Sequence, residues 1–467
     1  MKTWPRVKTP NILENGNSIK SISRLGGGIQ IPPSPGGCPK FSNQFCMHCL
    51  AALYFVPRAI FSLHWISRLY GATTVIPVLL GAGGNARIAV LLGSGEVSAA
   101  RRVLSLLVVL AVALGITGTV VVLTMGRTLT GALGATAEVQ ELTMVYLATM
   151  SPFFVGYILS FILEQGLRND GRAGAAGAVM AGSAVLNIAL DWVFLFRLDM
   201  GIAGAALASG IAISLSALIF LGYFLVKKLR RSEGLRLERP TFSLNVMGAI
   251  VANGSSELFS ALAMGVVTLL FNRTLMRYSG ATGVAAFAIV QYLLILVSVF
   301  LGGLATGAQP ILGQNHGAGR ADRVRGTLVR MLVVGEVMAV VLGGIAWFLA
   351  APAAALFVPE HPDAVALTTR AMQLVTWSLL FIPLGTIGSM FYTAIERPVS
   401  SLVIAALRTL LLPLPALALL PVVWGADGIW LVPLFTDGIA AVVALVMMAQ
   451  WMRITGAPVA EVVAVAS

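Results

Sequence analysis

In a chain that is 58% hydrophobic and only 11% charged, the residues able to do chemistry are the few polar ones set inside apolar stretches. Asn187 and Asp191 stand four apart, one helical turn, and so point to the same face of a helix. An amide beside a carboxylate can hold a protonated acid by hydrogen bonding, or supply oxygens to a cation. Asp191 is therefore a candidate to load a proton from one side of a membrane and release it to the other. The plainer alternative is a polar clamp between helices. Glu257 is a second candidate, because Asn253, Ser255 and Ser256 within one turn of it make an oxygen-rich patch in an apolar stretch. Asn253, Gln291, Tyr292, Gln309 and Asn272 are candidates to line a cavity; the alternative for each is a hydrogen bond between helices, worth about 0.6 kcal/mol on average. Glu336 and Arg408 also fall in apolar stretches. Structural roles are expected for both, with Arg408 reaching an interface or a backbone carbonyl.

Other chemistries lack their residues. No Gly-x-x-x-x-Gly-Lys-Ser/Thr loop for ATP phosphates is present, and no His-Glu-x-x-His pattern for a metalloenzyme. The histidines number four and are scattered. Cys38, Cys46 and Cys49 lie in one polar segment, an odd number that makes no disulfide framework. Cys46-Met47-His48-Cys49 resembles half a metal site without further ligands at suitable spacing. No metal and no organic cofactor are expected.

The elements that must carry these residues are membrane helices. The apolar excess is divided into stretches of roughly 20 residues, enough for a helix to cross the hydrocarbon. Helices are expected at 73–93, 103–125, 142–163, 174–196, 202–226, 246–274, 281–312, 327–350, 368–393, 399–423 and 428–451. A doubtful span at 48–66 is interrupted by Pro57, Arg58 and His64. The net charge of +12 sits mostly in short loops. Arg101 and Arg102, Arg168 and Arg172, the cluster from Lys227 to Arg239, then Arg320, Arg323 and Arg325, Arg397 and Arg453 follow one another at intervals of two spans. That alternation is the positive-inside pattern, not a nucleic-acid surface, and it places the linker and the last helix end in the cytoplasm. The expected organisation is a polar, disordered segment at 1–47, a first membrane lobe at 48–226 and a basic linker at 227–245. A second lobe at 246–453 and a tail at 454–467 follow.

The halves repeat. Gly93-Ser94-Gly95, followed by Arg101 and Leu104, matches Gly317-Ala318-Gly319, followed by Arg325 and Leu328, at an offset of 224 residues (317 less 93). Gly201, Gly204 and Leu207 match Gly425, Gly428 and Leu431 at the same offset. Six spans per repeat give both halves one orientation, with a cavity at their interface. The fold class is thus all-α: a polytopic membrane protein of two pseudo-symmetric six-helix bundles. The repeat places the counterpart of 246–274 near 22–50. The Gly26-Gly27-Gly28, Pro32-Pro33 and Pro35-Gly36-Gly37 runs there suit no membrane helix, so the first bundle is expected to lack its first helix.

The stretch Gln309-Pro310-Ile311-Leu312-Gly313-Gln314-Asn315, continuing through Gly317-Ala318-Gly319-Arg320, resembles the signature loop of the multidrug and toxic compound extrusion (MATE) transporters. Leu186-Asn187-Ile188-Ala189-Leu190-Asp191, followed by Gly201-Ile202-Ala203-Gly204-Ala205-Ala206, resembles the corresponding first-half region. The resemblance runs from about Leu79 to Arg453. It implies two six-helix lobes around a central cavity, in a monomer of the inner membrane, exporting cationic amphipathic drugs or toxic metabolites in exchange for protons or sodium. It also implies cation coupling at Glu257 and at Asp191 with Asn187. Some relatives pair the glutamate with an aspartate in the tenth helix, where 368–393 carries no carboxylate; that favours proton over sodium coupling. The rival readings are a flippase for lipids or lipid-linked precursors, and a transporter paralogue made inactive by the missing helix.

Overall fold

The computed structural model describes residues 77–132, 137–357 and 362–455. The three cysteines, the doubtful span at 48–66, the segment expected to lack a first helix and the tail from residue 456 on lie outside these residues. Among the described residues the chain is nearly all helical, the longest exception being the stretch at 230–243, and there is no strand.

In the first bundle, α1 (Pro77–Gly93) is followed by α2 (Val97–Ala132). A third span joins α3 (Ala137–Met150) to α4 (Phe154–Asn169) through the 3-10 turn Ser151–Phe153. Then come α5 (Ala173–Asp191), extended by a π-helical turn at Trp192–Arg197, and α6 (Gly201–Leu229). The second bundle begins with α7 (Leu244–Gly317), which holds two spans because Gly280 turns to φ 62° and breaks the helix. It continues with α8 (Ala321–Phe357) and with α9 (Pro362–Thr376) and α10 (Ile382–Ala394), a pair bent by 43°. It ends with α11 (Pro398–Ala406), the π-helical turn Leu407–Leu411, and α12 (Pro413–Ile454), broken again where Gly425 takes φ 59°. Every expected helix is present. The breaks fall at glycines because a side chain resists positive φ.

The repeat is visible in the backbone. Gly201 and Gly425 both take positive φ, as do Gly95 and Gly319. Leu104 and Leu328 are both fully buried, each inside the core of its own bundle. Arg101 donates to the Gly234 carbonyl and pairs with Glu238 at 3.0 Å. Its mate Arg325 donates to the Met452 carbonyl at 3.1 Å. Arg101 thus ties the start of its helix to the chain beyond the first bundle's last helix, and Arg325 ties the start of its helix to the last turn of the second bundle's.

The stretch after α6 is anchored to the first bundle. Leu235 is fully buried and its amide donates to Asp170 Oδ1 at 2.9 Å. Tyr223 and Lys227 donate to Asp170 Oδ2 at 2.5 and 2.6 Å, and the Glu238 amide donates to Ser105 at 2.8 Å. Burial raises the Glu238 carboxyl, but the hydrogen bonds and charges of Arg101 and Arg236 outweigh it and hold the group below the ordinary glutamate value.

Candidate functional site

Lipid offers helices no hydrophobic reason to associate, so bundles in membranes meet through small residues and polar bonds. Both occur where the two bundles meet. A Cβ on Gly93 would come within 2.0 Å of the Gln314 carbonyl oxygen, and one on Gly317 within 2.0 Å of that of Val90. The two contacts are mates under the repeat. Gly83 and Gly254 likewise lie against the main chain of Ile250 and Leu79. Only glycine lets backbones approach this closely.

Around these glycines runs a polar seam. Asn85 donates to Gln309 at 2.9 Å, and the pair is separated by the repeat length of 224 residues. Asn85 also reaches Gln165 at 3.3 Å and accepts a hydrogen bond from Asn169. Gln314 donates to the Asn169 carbonyl at 2.9 Å. Arg168 holds Glu164 at 2.5 Å and crosses to Thr306 at 2.8 Å. Arg87 on α1 pairs with Glu396 beyond α10 at 2.8 Å. The seam lies beside the basic loops, since Gly93, Asn169, Gly317 and Glu396 all adjoin them. Gln309, a candidate for the cavity wall, is thus a buried member of the seam, donating also to the Ala82 carbonyl at 3.4 Å.

Away from the seam, each bundle buries acids. On α5, Asn187 and Asp191 share a face as their spacing requires, 0% and 1% exposed. Asn187 donates to Ser209 on α6 at 3.3 Å. Its Oδ1 and both carboxylate oxygens of Asp191 are buried with no hydrogen-bond partner. Tyr146 on α3 lies close enough to interact electrostatically with Asp191.

In the second bundle Glu257 is half-buried on α7. Its neighbours do not converge on it. Asn253 is buried and donates to the Thr393 carbonyl at 2.9 Å, Ser256 meets the Thr393 hydroxyl at 3.4 Å, and Ser255 bonds back to the Ala252 carbonyl at 2.7 Å. Glu257 instead feels the charge of Arg408. Arg408 was expected at an interface or on a carbonyl; it pairs with Asp437 on α12 at 2.6 Å and donates to Thr386 on α10. Asp437 was not among the expected site residues, although a carboxylate in an apolar span is the signal that singled out Asp191 and Glu257. Glu336 has one buried carboxylate oxygen with no partner. Gln291 and Asn272 are half-buried, and Tyr292 is 38% exposed. Asp191 and Glu257 stand in different bundles.

Two repeated helical bundles, joined by a glycine seam and carrying acids inside their spans, define a multi-pass membrane protein of the kind that moves solutes. The MatE family model matches residues 54–193 and 258–418. Multidrug export protein MepA of Staphylococcus aureus (strain MSSA476) is 26% identical over 376 residues, covering 79% of this chain and 81% of that protein. The protein of the same name from Staphylococcus saprophyticus is also 26% identical over 376 residues, with the same coverage. A solved multidrug resistance MATE family transporter of the MOP superfamily, in an outward-facing conformation, matches with a TM-score of 0.83 at 20% identity, over 88% of this chain and 92% of that one. A MOP superfamily transporter from Pyrococcus furiosus matches with a TM-score of 0.81 at 20% identity, over 89% and 93%. The chain belongs to the MatE family.

Proposed function

We propose that the protein exports small organic compounds, mostly cationic and amphipathic, across the inner membrane in exchange for a cation, the proton being favoured over sodium. Asp191 with Asn187 in the first bundle and Glu257 in the second carry the coupling ion. The observation that carries this reading is Asp191: a carboxylate 1% exposed, with both oxygens unpartnered, inside a span of 25 residues. A bare negative charge at that depth is costly. The site is stable when a proton or another cation occupies it, with the Asn187 carbonyl oxygen as a further ligand. Release to the far side then requires the bundles to move.

The seam supplies the moving part. Its hydrogen bonds are worth about 0.6 kcal/mol each on average in membranes, few enough to break and reform in a transport cycle. The relatives named for multidrug export support drugs or toxic metabolites as cargo. The flippase alternative calls for a cationic cavity. Here the buried carboxylates Asp191 and Asp437 lie inside spans, and the Arg408 guanidinium is already paired with Asp437.

Purified protein in liposomes tests the proposal. An imposed proton gradient, acid outside, should drive ethidium from the cytoplasmic to the outer face. Asp191→Asn should abolish that exchange while leaving the protein folded. Undiminished exchange in Asp191→Asn would remove the residue from the mechanism, and acceleration by sodium in place of protons would reassign the ion.

A further inference from the structure

Arg408 occupies an unusual place. It lies on the π-helical turn Leu407–Leu411, a distortion found at functional positions in membrane and soluble helices alike. Its stem passes over Gly385, where a Cβ would sit 3.3 Å from Arg408 Cδ. Its guanidinium is held on one side by Asp437 at 2.6 Å and on another by Thr386. Asp437 is only 7% exposed. Glu257 stands on a helix packed beside this one: the adjoining Ser256 meets Thr393 at 3.4 Å, and Thr393 meets Ser401, on the helix that runs into the turn, at 2.8 Å. Its carboxylate lies within the influence of the guanidinium, yet among the described residues no side chain hydrogen-bonds it.

The charges are therefore unequal in number. Asp437 pairs with Arg408 at 2.6 Å, Glu257 stands on a neighbouring helix without such a contact, and arginine does not give up its proton in proteins. One acid can be neutralised from within; the other needs a positive charge from outside. Geometry has already chosen which, since the short contact is to Asp437.

We propose that Arg408 is a tethered internal cation and Asp437 the positioning residue that parks it, so that Glu257 remains open to one external positive charge. That charge is the coupling cation or the cationic group of a substrate. The inference rests on the transport reading for Glu257 and adds to it a role for Arg408 and Asp437.

The test uses the whole protein and one probe, the monovalent organic cation tetraphenylphosphonium, in binding and in export from liposomes. Asp437→Asn releases Arg408 onto Glu257 and should weaken both by at least about tenfold, the scale set by one buried charge contact. Arg408→Gln added to Asp437→Asn should restore both to within about threefold, and Glu257→Gln added to that pair should remove them again. A merely structural ion pair would lower the melting temperature of Asp437→Asn in step with binding; binding lost at an unchanged melting temperature is the sign of parking. Unimpaired Asp437→Asn, or a double variant as impaired as the single, overturns the proposal. Should Asp437→Asn fail to fold, the double variant decides: binding kept and then lost with Glu257→Gln supports parking, and binding lost in the double overturns it. If wild-type protein neither binds nor exports the probe, the transport reading itself fails; an active wild type with the wrong variant pattern removes only the role of Arg408.

Discussion

Adding one methyl group at Gly317 should open the seam between the bundles. The Cβ of Gly317→Ala would sit 2.0 Å from the Val90 carbonyl oxygen. A carbon and a carbonyl oxygen approach to about 3.3 Å, so the contact is short by roughly 1.3 Å. The atom in the way is helix backbone, which cannot rotate aside as a flexible side chain can. Forced overpacking of this kind costs about 1–3 kcal/mol, a shift of about 5- to 150-fold in a two-state equilibrium. Separating α1 from α7 on the basic side relieves the clash, so the seam-open state should gain population by that factor. Gly93→Ala should do the same, because its Cβ meets the Gln314 carbonyl at the same 2.0 Å. Gly307→Ala, on the same helix with open space around it, should leave the equilibrium where it is. Spin labels at Ser98→Cys and Asp322→Cys, exposed positions related by the repeat, report the separation as a distance distribution. The reasoning is refuted if both glycine variants fold and bind drug while keeping the wild-type distribution, or if Gly307→Ala shifts it equally.

Asn85→Leu removes the hub shared by Gln309, Gln165 and Asn169 and leaves buried amides unpaired, at about 1–3 kcal/mol; the same labels should show a wider seam. Asp170→Ala takes the partner from Lys227, Tyr223 and the Leu235 amide, and breaking such a pair costs about 3–5 kcal/mol, which a lower melting temperature in detergent would register. The anchoring of the linker by Glu238 should depend on pH. Its folded-state value is depressed, so its contribution is present above the unfolded glutamate value of about 4.3 and is lost as pH falls through the folded one. Lower amide protection factors at 234–239 in acid than at neutral pH, after correction for the intrinsic exchange rate, with the pH dependence abolished in Glu238→Gln, are the expected sign. Asp191→Ala should be as inactive in export as Asp191→Asn, since each deletes the carboxylate; activity in either, measured by ethidium flux, contradicts a coupling role.

The span pattern and the two-bundle repeat were readable from one chain, because helices in lipid must satisfy their own backbone and therefore advertise their length and their ends; the breaks at Gly280 and Gly425 emerged from the structure. The four-residue spacing of Asn187 and Asp191 likewise puts both on one face by helix geometry alone. Pairings across the bundles were not readable. Gln309 read equally as cavity wall or clamp until α1 brought Asn85 beside it, although the repeat offset between the two residues was a usable sign. Arg408 and Asp437 are 29 residues apart on separate helices, and nothing in the spacing told that one would hold the other while Glu257 stood aside. Periodicity is local and survives in one dimension; which of two acids receives a guanidinium depends on how helices rotate and bend against one another, and only the packed tertiary structure decides that.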